Sequence, residues 1–338
     1  MAGGRMKKLP VTLITGYLGS GKTTLLNRIL TEDHGEKICV IVNEFGEVGI
    51  DNELIVHSDE EIIEMNNGCI CCTVRSDLID TFERLLGENG HSFDRIIIET
   101  TGLADPGPVI QTFFLDERSM SALQLDAVIT VVDSANIERH WDSDELQEQI
   151  AFANVLLLNK SDLCSLEALR NIRDRVRRFN PLASIHETSN CNVQLEKIMD
   201  IGAFDLRAAL VIDPELLSDT DHEHENAVSS VSIRLKGTLD SDRFNRWINE
   251  FVQLHGPDLY RIKGILDMDD SPRRFVFQGV HMVLDGRPGL PWQPQDNRIS
   301  QIVFIGRNLN EDEISRSFKG CLACCDLPDK VSLVVESA

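Results

Sequence analysis

Four short stretches of this chain carry residues whose types and spacing can do chemistry. The first is Gly16-Tyr-Leu-Gly-Ser-Gly21-Lys22-Thr23. Gly19 and Gly21 let backbone N–H groups turn inward around a β-phosphate, where a side chain would obstruct them. The Lys22 ammonium can reach β- and γ-phosphate oxygens, and the Thr23 hydroxyl can ligate Mg²⁺. Gly16, Ser20 and Thr24 complete the phosphate-contacting run. A chance glycine-rich turn is the competing reading, and a strand pattern before the run with a helical pattern after it weighs against that.

The second stretch is Glu99-Thr100-Thr101-Gly102, at the end of the apolar run Arg95–Ile98. An acid at the carboxyl end of a buried strand sits where α/β sheets hold ligands. Glu99 can therefore hold Mg²⁺ directly or through a water, and Gly102 can offer its N–H to a γ-phosphate. A purely structural carboxylate is the alternative. The third is Asn159-Lys160-Ser161-Asp162, after the run Val155–Leu158. An aspartate accepts from both N1–H and the N2 amine of guanine, whereas adenine would leave that carboxylate unpaired, at a cost that discriminates strongly. Asp162, with Asn159 and Lys160, thus selects GTP. Ser189, beyond the next strand, lies where a loop at the base edge would fall.

The fourth stretch, Asn66-Asn67-Gly68-Cys69-Ile70-Cys71-Cys72, packs three thiols into four residues. Adjacent cysteines are poorly placed to pair with each other, and thiolates select soft or borderline metals. Cys69, Cys71 and Cys72 leave one tetrahedral position for a further ligand, which suits a carrier better than a closed structural site. A structural zinc site, a redox cluster and inert buried cysteines remain alternatives. Zn²⁺ suits the ligands best, with Co²⁺, Ni²⁺ and Fe²⁺ open. His222 and His224, in an acidic stretch, and Cys321, Cys324 and Cys325 are weaker metal candidates, for which a solvated linker and ordinary packing serve equally well.

These residues need a scaffold, and the pattern around them supplies one. Most of the runs at Val11–Thr15, Ile38–Val42, Arg95–Ile98, Ala127–Val132, Val155–Leu158 and Ser184–Glu187 are continuous and rich in Val and Ile, as in parallel strands covered on both faces. Amphipathic helix patterns lie between them at Lys22–Leu30, Ser76–Leu86, Glu145–Ala153 and Ser165–Phe179. The fold class is α/β: a P-loop NTPase domain over residues 1–212 with a mostly parallel sheet. Residues 213–227 read as an acidic linker. A small α+β domain follows over 228–325, then a tail over 326–338. In that second domain Val231, Ile233 and Leu235 alternate as in a half-buried strand, and Phe244, Trp247, Ile248, Phe251 and Val252 share one helical face. Arg274–Leu284 reads as one strand with a bulge near Gln278-Gly279, followed by a strand at Ile302–Ile305. Asn310 caps a helix, with Glu313 three residues on.

A formal charge of −22 opposes nucleic-acid and anionic-membrane partners, which would be repelled. A local pocket of N–H donors and one lysine still suits GTP and GDP. The apolar run after the N-terminus is too short for a signal peptide or membrane span. Nine cysteines without a secretion signal predict reduced thiols and a cytoplasmic protein. Monomer and homodimer are both open.

Taken together, Gly16–Thr24, Asn43-Glu44-Phe45-Gly46-Glu47, Gly68–Cys72, Glu99–Gly102 and Asn159–Asp162 resemble the CobW family of metallochaperone GTPases, in its YjiA-like branch. Arg274–Gly279 and Val303–Gly306 are similar to that family's C-terminal domain, so the likeness covers nearly the whole chain. The resemblance implies GTP hydrolysis coupled to delivery of zinc, cobalt or a related ion to a client metalloprotein, docked through the C-terminal domain or a switch. It implies that Asn43–Glu47 belongs to a nucleotide-sensing switch, with Glu44 and Glu47 contacting Mg²⁺ or the transferred metal. The glutamate at position 99 fits the family, while the two histidines of the linker are fewer than some members carry. No arginine stands out as a catalytic finger, so intrinsic turnover should be slow, with Lys22, Thr23 and Glu99 as its machinery. A small-molecule kinase and a metal buffer or sensor with incidental GTPase activity are the rival readings.

Overall fold

The Val- and Ile-rich runs become strands buried on both faces, as in Val11–Thr15 and Arg95–Glu99, where every residue is buried. The computed structural model describes residues 8–32, 34–44, 61–66, 72–86, 93–116, 121–204 and 228–323. It falls into two units, Met1–Arg175 with Ala183–Asp205, and Val176–Leu182 with Leu206–Ala338.

The first unit holds β1 (Leu9–Thr15), α1 (Lys22–Thr31), β2 (Ile38–Glu44), β3 (Glu61–Asn66), α2 (Cys72–Leu85), β4 (Arg95–Glu99), α3 (Gly107–Leu115) and β5 (Leu123–Asp133). After these come α4 (Ile137–His140), α5 (Asp144–Phe152), β6 (Val155–Asn159), α6 (Leu166–Phe179, counted with the second unit from Val176 on) and β7 (Ser184–Glu187). The sheet order is β3-β2-β4-β1-β5-β6-β7, and every pairing is parallel rather than mostly so. Parallel neighbours need crossovers, which the helices provide. The chain fills one side of β1 before crossing to β5, so strand order reverses at β1, where open α/β sheets hold ligands. Ile14, Leu25, Leu26, Ile29, Val40, Ile97 and Ile129 form the core between sheet and α1.

Besides the single-turn α4, two elements of the first unit escape the sequence pattern. Strand β3 carries Glu61 and Glu64 among its six residues, a composition that an edge position tolerates. Helix α3 is nearly all apolar and so shows no helical face. Pro106 and Pro108 sit at its start, where a missing N–H costs no bond.

Arg95 closes the end of the sheet away from the strand carboxyl termini. Its side chain is wholly buried, and its guanidinium reaches Glu36 at 2.8 Å, Asp126 at 3.1 Å and Asp200 at 2.6 Å. Asp126 also accepts from the backbone N–H groups of Asp200 and Gly202, both at 2.7 Å. Burial nevertheless raises the Asp126 carboxyl above its ordinary value, against those donors and Arg95. The segment after β7 is thereby tied back to β4 and β5.

In the second unit, β8 (Val228–Lys236), α7 (Ser241–His255), β9 (Leu259–Asp267), β10 (Arg273–Val280), β11 (Val283–Pro291), β12 (Ile299–Arg307) and α8 (Glu311–Lys319) follow in order. The sheet order is β11-β10-β9-β12-β8, antiparallel throughout. Phe244, Phe251, Phe304 and Phe318 form its core with Trp247 packed against them. Asn310 Oδ1 accepts from Glu313 N at 3.1 Å, the cap its sequence predicts. Arg274–Leu284, one strand by sequence, is instead the hairpin β10–β11. The apolar phase changes because the chain reverses at His281, whose φ is 51°, and not at a bulge near Gln278-Gly279. The β9 strand is also missing from the sequence pattern, because both of its faces are buried and it shows no alternation.

Among the described residues no helix is long and apolar enough to cross a membrane. His222, His224, Cys324 and Cys325 lie outside the described residues. Cys321 is buried in the second core, and burial pushes its thiol up to about 12, so it stays protonated and packs as an apolar group.

Candidate functional site

The carboxyl ends of the parallel strands gather the described candidate residues of the first, second and third stretches on one edge. After β1 the chain turns through Gly16, Gly19 and Gly21, all with positive φ. At Gly21, φ 114° is reinforced by space: a Cβ there would lie 2.6 Å from Asn159 Nδ2. Ser20 is buried, and its N–H donates to Tyr17 O at 3.1 Å, closing the loop on itself. Helix α1 starts at Lys22 with no side-chain cap, so its first N–H groups and the positive end of its dipole face the loop. Lys22 lies across that loop, donating to Gly16 O at 3.0 Å and Tyr17 O at 3.4 Å. Thr24 is exposed one position further along the helix than Thr23.

Glu99 ends β4 beside this loop and is buried. Thr23 Oγ1 donates to Glu99 Oε1 at 3.2 Å, so a hydroxyl and a carboxylate, both hard oxygen donors, converge where Mg²⁺ would be held. Thr100 ties the following loop to β1 through Thr100 N to Ile14 O at 3.0 Å and its hydroxyl to Thr15 Oγ1 at 2.9 Å. Gly102 is then pressed against the phosphate loop: a Cβ on it would lie 2.6 Å from Leu18 N.

Asn159 is 2% exposed, and its amide is used inside the protein. Nδ2 donates to Ser20 O at 2.9 Å, while Oδ1 accepts from Cys191 N at 2.9 Å and Thr188 Oγ1 at 3.2 Å. It therefore joins the phosphate loop to the loop after β7, which carries Ser189. Lys160 adopts a left-handed backbone, and its ammonium spans Gly19 O at 2.8 Å and Asp133 Oδ2 at 2.7 Å. Burial alone would raise Asp133, but hydrogen bonds from Lys160 and Asn136 outweigh it and hold the carboxyl below its usual range. Asp162 is exposed on the short turn Ser161–Leu163, whose first residue donates from N and Oγ to Thr188 O at 3.0 and 2.9 Å. Asp162 thus stands exposed on a braced backbone.

Sequence reasoning passes over Asp133, Thr188 and Cys191. Asp133 is the first charged residue after the apolar run Ala127–Val132, a signal that could have found it. Cys191 offers none. It is buried, its Sγ donates to Gly21 O at 3.3 Å, and burial pushes the thiol up to about 12.

On the other flank, the β2–β3 register sets Asn43 opposite Met65 and Glu44 opposite Asn66, while Val42 of β2 pairs with Glu99. Strand β3 therefore ends two strands from Glu99, about 10 Å away by strand spacing. Cys72 opens α2. Cys69, Cys71 and Glu47 lie outside the described residues, as do the side chains of Glu44 and Cys72. Among the described residues no group of three or more His, Cys, Asp or Glu side chains could hold a metal.

A glycine loop between β1 and α1, an acid ending β4 and an Asn-Lys-Ser-Asp run ending β6, on one edge of a parallel sheet, define a P-loop nucleotide-binding protein. The chain belongs to the CobW/HypB/UreG family: residues 10–187 match its nucleotide-binding domain, and residues 228–322 match the cobalamin synthesis protein CobW C-terminal domain. It is 37% identical to the zinc chaperone YjiA of Escherichia coli over 320 residues, covering 93% of this chain and 99% of that one. It is 34% identical to zinc-regulated GTPase metalloprotein activator 1 of Schizosaccharomyces pombe, covering 89% of this chain and 83% of the relative. The crystal structure of Zn(II)-bound YjiA GTPase from Escherichia coli superposes with a TM-score of 0.76 at 31% identity, covering 94% of this chain and all of that one.

Proposed function

We propose that this chain is a GTP-hydrolysing metallochaperone that couples GTP binding and hydrolysis to the transfer of a divalent transition metal. Zinc is the first candidate cargo and cobalt the second. One observation carries the reading: β3, which leads into Cys69–Cys72, is hydrogen-bonded to β2, and β2 to the β4 strand that ends in Glu99. Strand β3, which precedes Cys69–Cys72, and strand β4, which ends in Glu99, thus flank β2 and run parallel to it, so both end on the same side of the sheet. Relatives named as a zinc chaperone and a zinc-regulated GTPase support the cargo and the hydrolysis. Asp162 would select guanine, and Lys22 would contact the β- and γ-phosphates. Thr23 and Glu99 would hold Mg²⁺, which supplies charge neutralisation between the phosphates. Cys69, Cys71 and Cys72 would bind the cargo, with Glu44 and Glu47 near it. A client metalloprotein would dock on the C-terminal domain, from about residue 228, or on the switch Asn43–Glu47, in the cytoplasm.

If GTP tightens metal binding, metal must tighten GTP binding by the same factor. Competition between a chromophoric chelator and the full chain should therefore give Zn²⁺ affinities that differ by about tenfold between GTP- and GDP-loaded protein. Replacing Cys71 by Ala should weaken Zn²⁺ binding by at least about a hundredfold and remove the metal response of GTP turnover. Equal Zn²⁺ affinity in both nucleotide states would leave only a metal-binding GTPase without coupling.

Gly102 gives a second check. Its Cα faces Leu18 so closely that Gly102→Ala must push the β4–α3 loop away from the phosphate loop. Single-turnover GTP hydrolysis should fall by about tenfold or more, with GDP affinity nearly unchanged. Unaltered turnover would show that Gly102 does not approach the γ-phosphate.

A further inference from the structure

The loop after β4 is held from three sides, and the third is a side chain that no sequence motif marks. Gln149, on α5, is wholly buried. Its Nε2 donates to Gly102 O at 3.1 Å and to Ala104 O at 3.2 Å. Two carbonyl acceptors fix which way the amide faces, because the opposite orientation would set oxygen against oxygen. The remaining Oε1 is buried with no hydrogen-bond partner among the described residues, so the orientation is kept although it leaves an acceptor unsatisfied. Gln149 is itself anchored, since its carbonyl accepts from the buried Thr130 Oγ1 on β5 at 2.6 Å.

The other holds on this loop are the Thr100 bonds to β1, the contact of Gly102 with Leu18, and a turn closed by Ala104 N to Thr101 O at 3.2 Å. The Thr100 bonds fix where the loop leaves the sheet, and the Leu18 contact limits how near it comes to the phosphates. The Gln149 amide adds bonds to the carbonyls of Gly102 and Ala104. We infer that Gln149 is a positioning residue for the γ-phosphate response: its amide holds the Gly102 peptide in place to meet a triphosphate. The inference rests on the GTPase reading above. Gln149 touches no nucleotide atom in it; it acts through the peptide that does. A diphosphate, lacking the γ-phosphate, should be indifferent to this clamp.

The test is equilibrium binding of a fluorescent non-hydrolysable GTP analogue and of fluorescent GDP to the full chain, unmutated and as Gln149→Leu and Gln149→Glu. Leu keeps most of the volume without donors, and Glu sets an acceptor against the two carbonyls. Losing two neutral hydrogen bonds to one loop should lower affinity for the analogue about tenfold with Leu, and further with Glu. GDP affinity should stay within about twofold. Equal losses for both nucleotides would assign Gln149 a merely structural role, and unchanged affinities for both would remove the clamp. Should either variant fail to fold, the Gln149 side-chain amide protons of the unmutated protein decide the matter by NMR. The clamp predicts slow exchange, with a further slowing for the analogue over GDP, and fast exchange in both states overturns it. If the unmutated chain binds neither nucleotide, it is the GTPase reading that fails.

Discussion

Replacing Asp162 by Asn should lower GTP affinity about a thousandfold, while affinity for xanthosine triphosphate rises. A carboxylate accepts from both guanine N1–H and the N2 amine, and each charge-assisted bond contributes about 1.5–3 kcal/mol. An asparagine keeps one acceptor and puts an amide donor where the N2 amine points. Xanthine carries a carbonyl at that position and retains N1–H, so the new donor and acceptor match it. The substitution probes chemistry rather than folding, because Asp162 is exposed and its backbone is braced independently by Ser161 on Thr188 O. Lys160 and Asn159 keep their internal bonds in the variant. Competition binding with the three triphosphates of guanosine, xanthosine and adenosine reads the change. Retention of GTP affinity, with no gain for the xanthine nucleotide, would show that Asp162 does not meet the base.

Arg95→Met should destabilise the first unit by about 3–5 kcal/mol, with nucleotide chemistry untouched until unfolding. Arg95 is fully buried and serves three carboxylates that differ in what they would lose. Glu36 and Asp200 are partly open to water and can be resolvated. Asp126 cannot: it is 5% exposed, and burial already raises its carboxyl. Without the guanidinium it keeps only the N–H groups of Asp200 and Gly202. An uncompensated buried charge, rather than the lost pair itself, sets the size of the effect. Arg95→Lys should recover only part, because an ammonium cannot fork to three acceptors in a plane. Urea unfolding followed by circular dichroism measures both variants. A loss below about 1 kcal/mol for Met would place this cluster among surface pairs of little consequence.

The sheet strands were legible wherever burial on both faces produced unbroken apolar runs, as at Ile38–Val42 and Val155–Leu158. Strand β3, at an edge, and β9, with neither face exposed, show no such run or no alternation, so pattern alone misses them. The β10–β11 hairpin was misread because its turn, His281-Met282, contains no glycine or proline to announce it. Helix α3 was missed because its residues are almost all apolar and the 3.6-residue period disappears.

For the site, Gly16–Thr23 could be read directly because one local stretch supplies the turn, the N–H groups, the lysine and the hydroxyl. The expectations at Cys69–Cys72 and Asp162 rest on the same kind of signal, chemistry carried within a few consecutive residues. What holds those residues belongs to pairs far apart in the chain. Asn159 reaches Ser20, Cys191 reaches Gly21, Lys160 reaches Asp133, and Gln149 reaches Gly102. The sequence by itself determined that this is a P-loop protein of the CobW/HypB/UreG family. Only the tertiary structure decided that Asn159 braces loops with its whole amide, that Arg95 closes the opposite end of the sheet, and that Gln149 grips the loop after Glu99. The physical reason is strand order. Each of these contacts exists because the β3-β2-β4-β1-β5-β6-β7 arrangement sets distant segments side by side, and nothing in the local run of residues states which neighbour a strand will have.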